Sequence, residues 1–167
     1  MRGKVLLLRR GTLLLILTAL VAAGIFMVVG GPGFVSASAA KRQLPIYSVE
    51  REEKVCAISF DAAWGNEDTQ ALIDILGKYN VKATFFVVGD WVDKYPESVK
   101  ALHDAGHEVM NHSLHHDHYN ALTADQVVAD VTACNEKIAA ITGVTPCLIR
   151  CPYGEYDDHV ISAIRSM

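Results

Sequence analysis

Histidines are concentrated in one short stretch of the chain. Six of the seven lie between His103 and His118, and histidine is the commonest metal ligand because a neutral imidazole offers a nitrogen lone pair. His112 and His116 are four residues apart, a spacing that brings two imidazoles together on one helical turn or tight loop. Two histidines do not complete a tetrahedral site, so a carboxylate must come from elsewhere, and Asp61 is a candidate. The alternative is a solvated, histidine-rich loop.

Apolar runs alternate with amphipathic segments from residue 55 onward. The apolar runs predict four strands, at Val55–Phe60, Lys82–Val88, His107–Asn111 and Cys147–Arg150. The amphipathic segments predict helices that begin at Asn66 or Asp68, at Pro96, at Thr123 and at Asp157 or Asp158. This alternation is typical of parallel strands joined by right-handed crossovers, in an α/β sheet or barrel.

Three polar residues fall at the ends of predicted strands. Asp61 directly follows the first strand, His112 follows the third, and Arg150 ends the fourth. Because functional groups gather at the carboxyl ends of parallel strands, these three side chains are predicted to share one face of the sheet. Each has a structural alternative: Asp61 could cap the next helix, and Arg150 could form an ordinary surface ion pair.

The first 40 residues differ from the rest in composition. Residues 1–10 carry four basic residues and no acid, and residues 11–35 carry no charge. A run of this length predicts a transmembrane helix over about residues 11–35, with the N-terminus in the cytoplasm and the remainder exported. The small residues at 36–40 resemble a signal-peptidase site, so residues 1–40 are predicted to be a signal peptide or a signal anchor. The domain would then be membrane-anchored or secreted.

The charge and cysteine content of the chain limit the kinds of partner that are expected. The net charge is −4, and no basic patch with interleaved aromatic residues is present, so nucleic acid is not expected as a partner. The four cysteines lack zinc-finger spacing, and Cys56, in an apolar segment, is predicted to be buried and inert. Residues 41–54 are polar and predict a linker, which leaves residues 55–167 for the domain.

Three motifs occur in order along this domain. Their sequences are SFDAAWG at Ser59–Gly65, HSLHH at His112–His116 and RCPYG at Arg150–Gly154. In order and spacing they resemble the motifs of the polysaccharide deacetylase family, which is carbohydrate esterase family 4, the nodulation-factor deacetylase homology domain. The N-terminal apolar segment and Trp64-Gly65 are similar to its sporulation-associated branch. The resemblance implies an α/β fold of the (β/α) barrel type. The chain is expected to supply the N-terminal part of that barrel and to be truncated, since the family's later motifs lie beyond Met167.

The resemblance also implies an activity, the metal-dependent hydrolysis of N-acetyl groups on peptidoglycan or a chitin-like glycan. It implies that His112 and His116 hold a divalent metal, with Zn²⁺ favoured. It implies that Asp61 is the catalytic base and that Arg150 orients it. The backbone N–H near Tyr153 is expected to face the developing oxyanion.

One position departs from the family's pattern. The second acid of the first motif is a metal ligand in the family, and here it is Ala62. An aspartate restored at this position is expected to face the metal rather than the core. The loss favours a second hypothesis, a catalytically impaired glycan-binding protein on a deacetylase scaffold. The intact Asp61, His112, His116 and Arg150 favour catalysis, although a truncated chain could be inactive.

Overall fold

The computed structural model describes residues 10–30 and 42–167, and for residues 27–30 it describes the backbone only. Six helices and three strands make up the described part, together with two short 3₁₀ turns. In chain order they are α1 Arg10–Gly30, β1 Ser59–Ala62, α2 Thr69–Lys78, β2 Thr84–Val87, α3 Gly89–Lys94, α4 Pro96–Asp104, β3 Glu108–Asn111, a 3₁₀ turn at Tyr119–Ala121, α5 Ala124–Thr142, a 3₁₀ turn at Pro152–Gly154, and α6 Asp158–Arg165.

The N-terminal helix α1 occupies most of the predicted transmembrane segment. No helix within residues 10–30 and 42–167 is long and apolar enough to cross a membrane, so the structure does not support the predicted transmembrane helix. Residues 31–35 of the predicted span, and the predicted cleavage site at 36–40, lie outside the described residues.

The sheet is parallel, with strand order β1-β2-β3. Phe86 of β2 pairs with Asp61 of β1 on one side and with Met110 of β3 on the other. The fourth predicted strand contributes only an isolated parallel bridge between Ile149 and Asn111. The predicted α/β class with parallel strands is therefore confirmed, whereas the barrel remains a prediction.

Two predicted features at the start of the domain are wrong. The first strand runs from Ser59 to Ala62 rather than from Val55 to Phe60. It begins late because pairing with β2 begins only where the Thr84 N–H donates to the carbonyl of Ile58. The predicted strand residue Val55 is exposed. Cys56 is exposed as well, so it is not the buried cysteine that the apolar run predicts.

Two hydrophobic clusters bury the apolar faces. The larger one lies between the sheet and helices α3, α4 and α5, and its fully buried members include Val87, Val99 and Ile138. The smaller one joins α5 to α6 around Tyr119 and Val160. Helix α5 therefore contributes to both clusters, and its inner face supports the segments that connect β3 to α5 and lead into α6.

Helix α5 has sequence-encoded ends. Thr123 and Gln126 form a capping box, in which the Thr123 hydroxyl accepts from the Gln126 N–H and the Gln126 side chain accepts from the Thr123 N–H. Gly143 ends the helix with a left-handed φ of 75°, a conformation that glycine adopts without a Cβ penalty. The start of the helix matches the predicted one.

The segment preceding the domain contacts α6. The backbone N–H of Gln43 donates to the Asp158 carboxylate at 2.8 Å, and the Arg165 guanidinium donates to the carbonyl of Leu44 at 2.9 Å. The hydroxyls of Tyr47 and Tyr156 are 2.6 Å apart. Part of the predicted linker thus lies against the domain.

Candidate functional site

An acid and a guanidinium meet at the carboxyl end of the sheet. Asp61 lies near the end of β1, and its carboxylate accepts a hydrogen bond of 2.6 Å from the Arg150 guanidinium. The same guanidinium donates to the Ser59 hydroxyl at 2.7 Å and lies 4.3 Å from the centre of the Phe86 ring. The pair is about two-fifths exposed. Arg150 therefore fixes the direction of a carboxylate that solvent can reach.

The backbone of Arg150 also contacts the first histidine. Its N–H donates to the carbonyl of Asn111 at 3.0 Å, and its own carbonyl accepts from Nδ1 of His112 at 2.7 Å. A carbonyl can only accept, so Nδ1 carries the proton and the Nε2 lone pair of the neutral ring is left for a ligand. Burial lowers the pKa of His112, which favours the neutral, ligating form. Asp61, His112 and Arg150 are thus joined as the sequence predicts.

The second histidine is held in a strained backbone. His116 has a φ of 61° and Ser113 a φ of 75°. Four non-glycine residues in the described part of the chain have positive φ. Three of them belong to this site, namely Ser113, His116 and Tyr153, whose φ is 57°. Such conformations cost about 1–3 kcal/mol each and persist only where the surroundings impose them. The strain brings the rings of His112 and His116 to a centroid distance of 5.0 Å.

Side chains of β3 and of the loop itself impose part of this shape. We call residues 112–118 the histidine loop. The buried Asn111 side chain accepts from the Ser113 N–H at 2.7 Å and donates to Asn135 at 2.8 Å. The Ser113 hydroxyl accepts from the His116 N–H at 2.8 Å. No local sequence pattern predicts these bonds.

The neighbouring helices hold the loop from both sides. The N–H groups of Gly89 and Asp90, at the start of α3, donate to the carbonyls of Ser113 and Leu114 at 2.9 and 3.1 Å. The approach is so close that a Cβ on Gly89 would lie 2.6 Å from the Leu114 side chain. On the other side, the Asp130 carboxylate of α5 accepts from the Leu114 N–H at 2.9 Å. Helix α3 was not predicted, because the single turn that begins at Gly89 carries little periodicity.

Two exposed aromatic side chains flank His116. The Trp64 ring lies 5.4 Å from the His116 ring and is 82% exposed. The Tyr153 ring lies 4.7 Å away on an edge-to-face contact and is 59% exposed. Tyr153 also stacks on His118 at 4.1 Å. Trp64 therefore does not pack into the core, and its indole is open to a ligand.

The other two histidines of the loop form hydrogen bonds with carboxylates at the surface. His115 donates through Nδ1 to the Asp90 carboxylate at 2.9 Å, and this bond raises the pKa of His115. His118 donates to Glu155 at 2.9 Å. Both histidines are more than half exposed, so they face solvent.

A divalent metal fits this site through two ligands. His112 offers Nε2, and Nδ1 of His116 is buried with no hydrogen-bond partner among the described residues. Within the described ranges, no group of three or more His, Cys, Asp or Glu side chains lies close enough to hold a metal ion. Ala62 does not face the pair of histidines. It packs with Phe60 against the larger hydrophobic cluster, so the expectation that an aspartate at 62 would face the metal is wrong for this backbone.

Comparison with known proteins identifies the family. The family model for polysaccharide deacetylases matches residues 48–167. The chain is 34% identical over 122 residues to the peptidoglycan-N-acetylmuramic acid deacetylase PdaA of Bacillus subtilis, an alignment that covers 72% of this chain and 46% of that protein. The chain belongs to the polysaccharide deacetylase family, and it spans about half the length or less of the curated relatives it matches first.

Solved structures share the fold. The peptidoglycan deacetylase PdaC of Bacillus subtilis matches with a TM-score of 0.63 and 34% identity, over 70% of this chain and 58% of that one. A mutant of BA3943, described as a carbohydrate esterase family 4 pseudoenzyme with restored enzymatic activity, matches with a TM-score of 0.66 and 34% identity, over 69% of this chain and 42% of that one. Similar structures thus include both an enzyme and a pseudoenzyme.

Proposed function

We propose that the protein hydrolyses N-acetyl groups from an amino-sugar polysaccharide, either peptidoglycan or a chitin-like glycan. The observation that carries the proposal is the arrangement of Asp61, Arg150 and His112 at the carboxyl end of the sheet. Arg150 contacts both of the others, through its guanidinium and through its carbonyl. Family membership and the named deacetylases among the relatives support the same activity.

Each residue has a defined task in this proposal. Asp61 accepts the proton of the attacking water, because it is the exposed carboxylate at the strand end. Arg150 keeps that carboxylate in one orientation through its bonds to Asp61 and Ser59. The backbone N–H near Tyr153 stabilises the negative charge that develops on the acetyl oxygen, and one such donor contributes about 10²–10³ in rate.

His112 and His116 are proposed to hold a divalent metal ion, with Zn²⁺ favoured. A cation bound there would polarise the acetyl carbonyl and lower the pKa of its water. The free Nε2 of His112 and the unpartnered Nδ1 of His116 support this assignment. With Ala62 in place of an acid, the remaining ligands must come from water or substrate, so we expect weaker binding than at a site with three protein ligands.

An extracytoplasmic location accompanies the proposed substrate. Peptidoglycan lies outside the cytoplasm, and relatives of this chain are named as peptidoglycan deacetylases. A reporter fused after Met167 should therefore be active only outside the cytoplasm, and activity inside it would contradict this location.

The test of the activity is acetate release by the whole protein from purified N-acetylated peptidoglycan and from chitooligosaccharides, with Zn²⁺ added. Asp61→Asn should abolish release, because the amide cannot accept the proton of water. Asp125→Asn, on the exposed side of α5, is the matched control and should retain full activity. Equal rates in the Asp61 variant and the wild type would refute the assignment of the base.

The second candidate is a glycan-binding protein with impaired catalysis. It is favoured by Ala62 and by the similarity to a family pseudoenzyme. Trp64, exposed beside His116, supports binding of a sugar ring under either hypothesis. Calorimetry that detects chitooligosaccharide binding, combined with no acetate release by the whole protein, would favour this candidate over the enzyme.

A further inference from the structure

Asp130 is a buried carboxylate on the inner face of α5 that belongs to none of the three motifs. It is 9% exposed, and it makes no ion pair with a basic residue of the described ranges. Both of its hydrogen bonds come from neutral donors, the Leu114 N–H at 2.9 Å and the Tyr119 hydroxyl at 2.5 Å. A buried charge is costly to retain unless it is paired or hydrogen-bonded, so the position calls for a specific explanation.

The two donors lie on either side of the second histidine. Leu114 precedes His116 in the histidine loop, and Tyr119 follows it at the start of a 3₁₀ turn. Both bonds end on the same oxygen, Oδ1, so a single atom of α5 fixes two points of the chain around His116. Tyr119 is fully buried, and burial together with the bond to Asp130 raises its pKa, so it remains a donor.

Strained residues lie within and directly before the segment between these two points. Ser113 and His116 both have positive φ, and each such residue costs about 1–3 kcal/mol. A strained loop relaxes unless its ends are held, and relaxation of His116 would move its ring away from that of His112. Charge-assisted hydrogen bonds are about twice as strong as neutral ones, which gives a carboxylate an advantage over an amide or a hydroxyl at this position.

We propose that Asp130 is a positioning residue that holds the histidine loop in its strained conformation and thereby sets the separation of His112 and His116. Its relevance to metal binding rests on the proposed function, whereas its effect on loop geometry does not. Asp130 acts through Leu114 and Tyr119 and is not expected to touch metal or substrate.

Asp130→Ala is the main test, with Asp125→Ala on the exposed face of the same helix as its control. In metal-free wild-type protein the rings of His112 and His116 should give an NMR cross-relaxation signal, since their centroids are 5.0 Å apart. Asp130→Ala should lose that signal and raise the dissociation constant for Zn²⁺ by about 10–100-fold. Asp125→Ala should change neither. Asp130→Asn keeps an oxygen acceptor and should bind Zn²⁺ within roughly threefold of the wild type.

The outcomes separate this inference from the proposed function. A folded Asp130→Ala protein that keeps both the ring signal and the Zn²⁺ affinity would overturn the inference. If wild type binds no Zn²⁺, the metal site fails, and the ring signal alone still decides the role of Asp130. If Asp130→Ala does not fold, the Leu114 amide in Asp130→Asn should exchange its hydrogen roughly 5–10-fold faster than in wild type. Unchanged exchange would overturn the inference.

Discussion

The substitution Arg150→Met tests how much the guanidinium contributes to stability and how much it contributes to catalysis. The substitution removes the ion pair with Asp61, the hydrogen bond to Ser59 and the cation–π contact with Phe86, while the methionine stem can still lie on the Phe86 ring. The backbone of residue 150 stays in place, because its bonds to Asn111 and His112 use the main chain. The change therefore affects the guanidinium and little else.

The expected loss of stability is small. The ion pair is about two-fifths exposed, so solvent screening limits it to about 0.2–1 kcal/mol. The bond to Ser59 adds about 0.5–1.5 kcal/mol, and the cation–π contact adds about 0.5–1 kcal/mol. The methionine side chain still packs on the Phe86 ring and so recovers part of the stabilisation from the cation–π contact. The free energy of unfolding should therefore fall by about 1–2 kcal/mol. Urea unfolding of Arg150→Met and wild type measures this difference.

The expected loss of activity is larger. Within the described residues, the Arg150 guanidinium is the group that fixes the direction of the Asp61 carboxylate. A misplacement of about 1 Å at a reacting group costs roughly 10²-fold in rate. We expect kcat for acetate release by the whole protein to fall by about that factor. Lys100→Met, which removes an exposed pair with Asp104, is the control and should leave kcat unchanged. A folded Arg150→Met protein with kcat within about threefold of wild type would refute the orienting role of Arg150.

Four further substitutions test separate parts of the structure. Trp64→Ala should weaken chitooligosaccharide binding by roughly 2–10-fold with little loss of stability, and equal affinity by calorimetry would contradict the stacking role of this exposed ring. Burial lowers the pKa of His107 in the folded protein, so the unfolded state takes up a proton at higher pH than the folded state does. The free energy of unfolding should therefore decrease as pH falls below about 6.5. His107→Asn should make that decrease smaller when urea unfolding is measured across this pH range. Ala62→Asp should lower stability by about 1–3 kcal/mol without tightening Zn²⁺ binding, and tighter binding would show that the strand end rearranges. Gly89→Ala should destabilise the histidine loop by about 1–3 kcal/mol in thermal unfolding, because its Cβ would overlap Leu114.

The sequence was sufficient for the α/β class and for the proximity of Asp61, His112 and Arg150. Alternation of apolar runs and helical patterns predicts parallel strands, and strand ends then bring Asp61, His112 and Arg150 together. The distances of 2.6 Å from Arg150 to Asp61 and 2.7 Å from His112 to the Arg150 carbonyl agree with that inference. These contacts are predictable because parallel pairing converts position in the sequence into position on one edge of the sheet.

The support of the site was not predictable in the same way. Asp130 reaches the histidine loop across the fold, and no periodicity indicates that a helix will place a carboxylate under a loop 16 residues earlier in the chain. Strand limits were also missed, because Val55 is apolar but lacks a partner strand in the described part of the structure. Long-range hydrogen bonds of this kind depend on how the helices pack, which the local pattern does not encode.

Ala62 illustrates how a motif and a structure can give different accounts of one residue. In the motif it is a lost metal ligand, and in the structure it is the last residue of β1. Side chains alternate along a strand, so Asp61 faces Arg150 while Phe60 and Ala62 pack against the hydrophobic cluster. The carbonyl of Ala62 accepts from the Val88 N–H at 3.0 Å, which keeps the backbone in the sheet through this position. With that bond in place, a side chain at 62 lies on the face of β1 opposite Asp61. The alanine is therefore compatible with a longer strand and a packed core, and the site on the opposite face must obtain its remaining ligands elsewhere.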